Sequence, residues 1–271
     1  MKYKRSQRLV DMTQYLLQHP YQLTTLSDFV QRYQTAKSSV SEDVAIIKEQ
    51  FKQSKLGCIE TTAGASGGVR YIPQISKEQA KAAIQKMCQD LNQADRLLPG
   101  GYFYLTDVLG DPKYLRLIGQ VIASHFAKQE VDAIMTVATK GVPLAQMVSL
   151  YLNVPFVIVR RDSKVTEGST VSINYATKGN PRVEKMELTK SSLPEHSKVI
   201  LVDDFMNGGG TISGMLAMLK EFKSECVGVS VLCEVASSDR HVECDYYSLM
   251  SLTKNADSTA IVDLQPGTMF A

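Results

Sequence analysis

VILVDDFMNGGGT, residues 199 to 211, is the stretch on which the fold turns. Val199 to Val202 are four apolar residues that read as a buried strand, and Asp203 and Asp204 stand at its carboxyl end. Asn207 to Thr211 then form a glycine-rich loop that opens a helix at Thr211. Ligands of open α/β sheets bind outside the carboxyl ends of strands. Such a loop can aim successive backbone N–H groups at one point, and the helix N-terminus behind it adds partial positive charge, so a phosphate suits it. Two adjacent carboxylates can accept hydrogen bonds from the two hydroxyls of a ribose ring. A sugar phosphate therefore fits the whole segment. The P-loop GxxxxGK[ST] has a lysine that this loop lacks, and the fingerprint GxGxxG is absent. A plain strand-turn-helix with solvated acids would not explain why two acids follow directly on four apolar residues.

Around this segment, strand-like runs alternate with helical ones: Ala133 to Val137, Val142 to Leu152, Phe156 to Arg160, Val199 to Val202, Thr211 to Phe222 and Val227 to Cys233. The alternation predicts an α/β fold with a central parallel sheet covered by helices. Upstream, Ser76 opens a connecting helix with Ala80, Ala83, Ile84, Met87 and Leu91 on one face, ending before the turn Pro99, Gly100, Gly101. The expected division is residues 1–74 and 75–271. The first part reads as three short helices and a hairpin. Leu9, Met12 and Leu16 mark the first helix, and Leu26, Phe29, Val30 and Tyr33 the second, with Thr25 as N-cap and Asp28 as first-turn acid. Val40, Val44, Ile47 and Phe51 mark the third, where Ser39 and Glu42 have capping-box spacing, leaving Ser38, Ser41 and Lys48 off the apolar stripe. Cys58 to Ile72 is the hairpin, around Gly64, Gly67 and Gly68. Three helices followed by a hairpin predict an α+β winged helix-turn-helix domain.

Charge separates along the same line. Before residue 74 there are ten basic and six acidic residues, and after it twenty and twenty-two, inside an overall charge of +2. A basic first domain suggests nucleic acid as its partner, although surplus lysines also occur on ordinary solvated surfaces. Lys37, Ser38, Ser39 and Ser41 lie at the start of the third helix, the end that enters the major groove in helix-turn-helix proteins. Lys4, Arg5, Arg8 and the hairpin residue Arg70 could add phosphate contacts. The alternative for this domain is a protein-interaction module. Five widely spaced cysteines without a CxxC pair point to reduced thiols. No signal-peptide core follows the basic start and no apolar run nears membrane-spanning length, so a cytoplasmic protein without a membrane partner is expected.

Residues 199–211 closely resemble the signature of type I phosphoribosyltransferases that binds phosphoribosyl pyrophosphate (PRPP). The resemblance implies that Asp203 and Asp204 hold the ribose and that Asn207, Gly208, Gly209, Gly210 and Thr211 cradle the 5-phosphate. Many family members have threonines where this chain has Asn207 and Gly208, which removes hydroxyl donors but keeps the backbone ones. ATKGVPLA, residues 138–145, resembles the family's pyrophosphate loop and implies that role for Thr139, Lys140 and Gly141. RRDSKVTEGSTVSINY, residues 160–175, resembles the flexible loop of adenine and xanthine phosphoribosyltransferases, with Arg160, Arg161 and Lys164 as its cations. GGYFYLTDVLGDP, residues 100–112, resembles those enzymes' opening segment.

With a winged helix in front, and with AKSSVSEDVAIIKEQF in its recognition-helix region, the whole chain resembles the purine operon regulators of Gram-positive bacteria. That resemblance implies a homodimer that binds double-stranded operator DNA and senses PRPP together with Mg2+, without turnover and without a catalytic cofactor or separate metal site. The rival is a working adenine or xanthine phosphoribosyltransferase with an accessory domain. Turnover needs a pocket that orients the base against the anomeric carbon, and Phe205 and Met206 are bulky enough to narrow one.

Overall fold

The computed structural model describes residues 3–55, 57–64, 67–99, 102–161, 168–176, 183–236, 242, 244–254 and 262–271. The chain divides into two compact units, Met1–Ile75 with Tyr151–Asn153 and Ser76–Leu150 with Val154–Ala271.

In the first unit, helix α1 (Arg5–Gln18) leads to a two-residue strand β1 (Thr24–Thr25), α2 (Leu26–Tyr33), α3 (Lys37–Ser54) and a hairpin of β2 (Cys58–Thr61) and β3 (Gly68–Ile72). The periodic positions form the core: Met12, Leu16, Phe29, Tyr33, Val40, Val44, Ile47 and Phe51 pack with Ile59 and Val69 of the hairpin. Leu9, Leu26 and Val30 are only partly buried against it. Thr25 caps α2 as expected, its hydroxyl accepting from the Asp28 N–H at 3.2 Å while the Asp28 carboxylate accepts from the Thr25 N–H at 3.0 Å. Strand β1 pairs antiparallel with β3 and was not expected from the sequence. Gly68 must lack a side chain there, because a Cβ would lie 2.4 Å from the Thr24 carbonyl oxygen across that pair.

The start of α3 corrects the expected capping box. The helix begins at Lys37 after Ala36, which makes no side-chain cap, so Ser39 lies within the first turn. Glu42 points instead to Arg5 of α1, 3.3 Å away. The chain needs no side-chain cap to turn here, since Gln34 already leaves α2 through a left-handed conformation at φ 49°.

The second unit opens with α4 (Lys77–Leu91), whose N-cap Ser76 accepts from the Gln79 N–H and which buries Ala80, Ile84, Met87 and Leu91; Ala83 is only half-buried. A small hairpin follows, β4 (Leu97–Leu98) and β5 (Tyr102–Phe103), and then α5 (Thr106–Gly110) and α6 (Pro112–His125). The main elements come next: β6 (Ala133–Val137), α7 (Gly141–Leu152), β7 (Phe156–Val159), the ribbon β8 (Thr170–Ala176) with β9 (Val183–Thr189), β10 (Lys198–Met206), α8 (Gly210–Glu221), β11 (Glu225–Val235), β12 (Tyr247–Lys254) and β13 (Val262–Pro266).

Six of these strands form one sheet in the order β13-β12-β11-β10-β6-β7. All neighbours are parallel except β13, which closes the edge antiparallel to β12. Strand β6 is followed by β7 on one side and adjoined by β10 on the other, so the direction of winding reverses between β6 and β10. This is the topological switch point, where a doubly wound sheet opens a crevice at its carboxyl edge. Strand β10 runs four residues past Val202, so the acid pair lies within the strand, and Met206 is buried in the core.

Candidate functional site

The loops after β6 and β10 meet at the switch point. Gly141, the first residue of α7, shows how closely: a Cβ there would stand 2.1 Å from Thr136 Oγ1 and 3.4 Å from Asp203 Oδ1. Only glycine leaves α7 room to start beside the acid pair. The Ala138–Thr139 peptide ahead of it is cis. Thr139 and Lys140 are exposed at the crevice mouth. On the other side, Gly209 takes φ 83° as the N-cap of α8, a conformation that favours glycine. Its carbonyl accepts from both the Ser213 N–H (2.9 Å) and the Ser213 hydroxyl (3.1 Å). Asn207 and Gly208 are exposed, and a side chain at Gly208 would meet nothing within 4 Å, so that position has room for a larger residue.

Asp203 is 6% exposed and Asp204 half-buried. Burial, and then the neighbouring Asp204 charge, push the Asp203 carboxyl well above the ordinary carboxylate range, although its Oδ1 accepts from the Asp204 N–H at 3.0 Å. Burial also raises Asp204, against the opposing pull of Lys140. A buried acid beside a half-buried one is unfavourable unless donors complete the pair. Donors such as ribose hydroxyls would do so.

The remaining expected cations differ from one another. Arg160 is bound into the β7–β9 seam, its N–H donating to the Glu187 carbonyl at 2.9 Å and its carbonyl accepting from the Glu187 N–H at 2.8 Å. Arg161 is half exposed, with Nη1 3.5 Å from Glu184 Oε2, and its charge is felt at Asp203. Lys164 lies outside the described residues. Phe205 is half-buried, its ring 6.0 Å from that of Tyr102. Met206 faces the core and narrows no pocket.

In the first unit, Lys37, Ser38 and Ser41 are exposed at the start of α3, Ser39 is half-buried, and Lys4 is exposed ahead of α1. Arg8 is largely withdrawn from solvent, with Nε 2.7 Å from Asp43 Oδ2. Arg5 reaches the same carboxylate at 3.2 Å, and Arg70 pairs with Glu60 across the hairpin at 2.6 Å. Arg5 and Arg8 thus tie α1 to α3 through Asp43, which is fully buried. Sequence reasoning missed this clamp, although an acid inside the Val40, Val44, Ile47 stripe was its visible sign.

Residues 4–73 match the family described as "Bacterial purine repressor, N-terminal", and residues 106–265 match "Phosphoribosyl transferase domain". The whole chain is 48% identical to the probable purine biosynthesis transcriptional regulator PurR of Streptococcus pneumoniae, covering 98% of that protein. Over 98% of its length it is 48% identical to the purine biosynthesis transcriptional repressor PurR of Bacillus subtilis, covering 94% of it. Over 98% it is 44% identical to the activator PurR of Lactococcus lactis, covering 98% of that protein. Among solved structures, adenine phosphoribosyltransferase from Rhodothermus marinus superposes with TM-score 0.55 at 22% identity, over 63% of this chain and 99% of that one. With its N-terminal repressor domain, its transferase fold and relatives that align from end to end, the chain belongs to the PurR family of purine biosynthesis transcriptional regulators.

Proposed function

We propose that the protein regulates purine biosynthesis genes by binding operator DNA through its first unit and sensing PRPP in the crevice of its second, without transferring the ribose phosphate. The observation that carries this reading is the convergence of two loops on one buried acid pair at the switch point: Gly141 of the first loop abuts Asp203 of the second. Asp203 and Asp204 accept the ribose hydroxyls. The loop from Asn207 to Thr211 offers backbone N–H groups and the α8 N-terminus to the 5-phosphate. Thr139, Lys140 and Gly141 approach the pyrophosphate, with Arg161 on its other side. Magnesium arriving with PRPP would be carried by the ligand's own oxygens.

On the DNA side, the exposed start of α3, with Lys37, Ser38 and Ser41, is the surface offered to the major groove, and Lys4 adds a phosphate contact. Arg8 acts by holding the unit together through Asp43, while Arg5 and Arg70, half exposed beside their acids, stay open to a phosphate. As a DNA-binding regulator it works in the cytoplasm; no described helix is long and apolar enough to cross a membrane. A homodimer presents two such helices to paired half-sites, and sedimentation as a monomer at micromolar concentration would refute it.

The deciding experiment is a DNA-binding titration at fixed salt, with and without PRPP, on the parent and on the Asp203→Ala, Asp204→Ala double variant. An effector shifts an equilibrium only through its differential affinity for two states, so the double variant should bind DNA and ignore PRPP. An unchanged PRPP response would place the sensor elsewhere. The transferase reading is tested by incubating the protein with PRPP and each purine base, where nucleotide formation at an ordinary enzymatic rate would overturn the sensor-only view.

A further inference from the structure

The ribbon of β8 and β9 lies on α8, the helix whose N-terminus faces the crevice. Gly214 is the reason it can: a Cβ at that position would meet Met186 Sδ at 2.7 Å and Tyr175 Cδ2 at 3.2 Å. Met186 and Tyr175 are buried there in the core beneath the sheet. Tyr175 pairs in register with Glu184 on the neighbouring strand, and its hydroxyl donates to Glu184 Oε2 at 2.6 Å. The same carboxylate oxygen faces Arg161 Nη1 at 3.5 Å. A chain of contacts thus runs from α8 through Tyr175 to Glu184 and on to Arg161.

We propose that Glu184 is an internal competitor for the effector: it holds Arg161 in the ligand-free protein and gives it up to the pyrophosphate, and so sets how much PRPP is needed for a response. This rests on the PRPP reading above and adds a residue that lowers affinity rather than raising it. An anion fixed in the fold and an anion on the ligand cannot both take the same guanidinium at full strength. Tyr175 makes the competition effective, because a carboxylate anchored by a buried phenol does not swing away to solvent. Arg161 and Glu184 are 52% and 30% exposed, so the ion pair is of the modest, solvent-screened kind. That is what a displaceable contact requires. The acid pair remains in the pocket in either state, so Glu184 tunes the site without forming it.

The test is calorimetry of the full-length protein with three probes: PRPP, inorganic pyrophosphate and ribose 5-phosphate. Glu184→Gln keeps an oxygen for the Tyr175 hydroxyl and removes the charge. It should tighten PRPP and pyrophosphate by roughly three- to tenfold and leave ribose 5-phosphate unchanged, since that probe does not reach Arg161. Adding Arg161→Gln should erase the gain. A gain that persists without Arg161, or that appears equally with ribose 5-phosphate, is a general field effect and overturns the competition. So does an unchanged or weaker affinity for PRPP in Glu184→Gln with an unchanged melting temperature. The first titration, of the parent with PRPP, separates the two readings: no binding there removes the effector reading before any variant is compared.

Discussion

Replacing Asp203 by asparagine should make the ligand-free protein more stable while removing its response to PRPP. The side chain is 6% exposed, and both its burial and the adjacent Asp204 oppose its ionisation. Asparagine retains the oxygen that accepts from the Asp204 N–H and drops the charge. The folded-state pKa of Asp203 lies above the unfolded value, so between the two the folded protein binds more protons than the unfolded one. Stability therefore falls as pH rises between the unfolded and the folded pKa, and an asparagine, which does not titrate, is free of that loss. Each unit of pKa difference corresponds to about 1.4 kcal/mol, and stabilising single substitutions commonly reach about 0.5 to 2 kcal/mol. For a unit of this size, a gain of about 1 kcal/mol raises Tm by about 2 to 4 °C. The assay is thermal unfolding of parent and variant from pH 5 to 8, with and without PRPP. The variant should melt higher at pH 7, show a flatter pH dependence, and gain nothing from ligand. A variant that melts below the parent at pH 7, or that keeps the parent's pH slope, would refute the argument that the acid pair is held at a cost to stability.

Asp43→Ala should strip the buried partner from Arg8 and Arg5 and destabilise the first unit by about 3 kcal/mol, which urea unfolding of the first unit would read. Gly141→Ala must displace Thr136 or α7, because the new Cβ would stand 2.1 Å from Thr136 Oγ1; PRPP affinity should drop by an order of magnitude or more in calorimetry while DNA affinity without effector is retained. Lys37→Ala should weaken operator binding, lower the slope of log affinity against log salt by about 1, and leave PRPP binding intact. A salt-insensitive parent would remove DNA as the partner.

Much of this architecture was readable because burial leaves a periodic trace. Val40, Val44, Ile47 and Phe51 are buried at helical spacing, and Ala133 to Val137 form a strand with the expected bounds, since both rest on apolar residues that have few other places to go. The two loops were legible for a different reason: their glycines serve backbone geometry at Gly209 and close approach at Gly141. The ribbon β8–β9 was missed because one of its faces rests on α8 and the other is polar, so Val171, Ile173 and Tyr175 alternate too briefly to stand out from a loop. Strands β12 and β13 were missed as well, β13 being an edge strand that pairs antiparallel with the strand just before it. The acids beside Arg5, Arg8 and Arg70 were hidden because a cation that faces phosphate and one that faces a carboxylate are the same letter. Only the fold shows which acid lies opposite.

The pairing of β10 with β6 runs from Val199 opposite Ala133 to Leu201 opposite Met135 and stops there, while β10 remains paired to β11 as far as Met206. The sheet is therefore sewn continuously on one side of the crevice and left unsewn on the other. A ligand that touches both loops supplies the missing stitches across that seam. An effector bound there would also be a clasp: at one hundred times its Kd it would add about 2.7 kcal/mol to stability. Melting temperature should then track the ligand supply, and a chain caught without effector should be the first to open along β6 and β10.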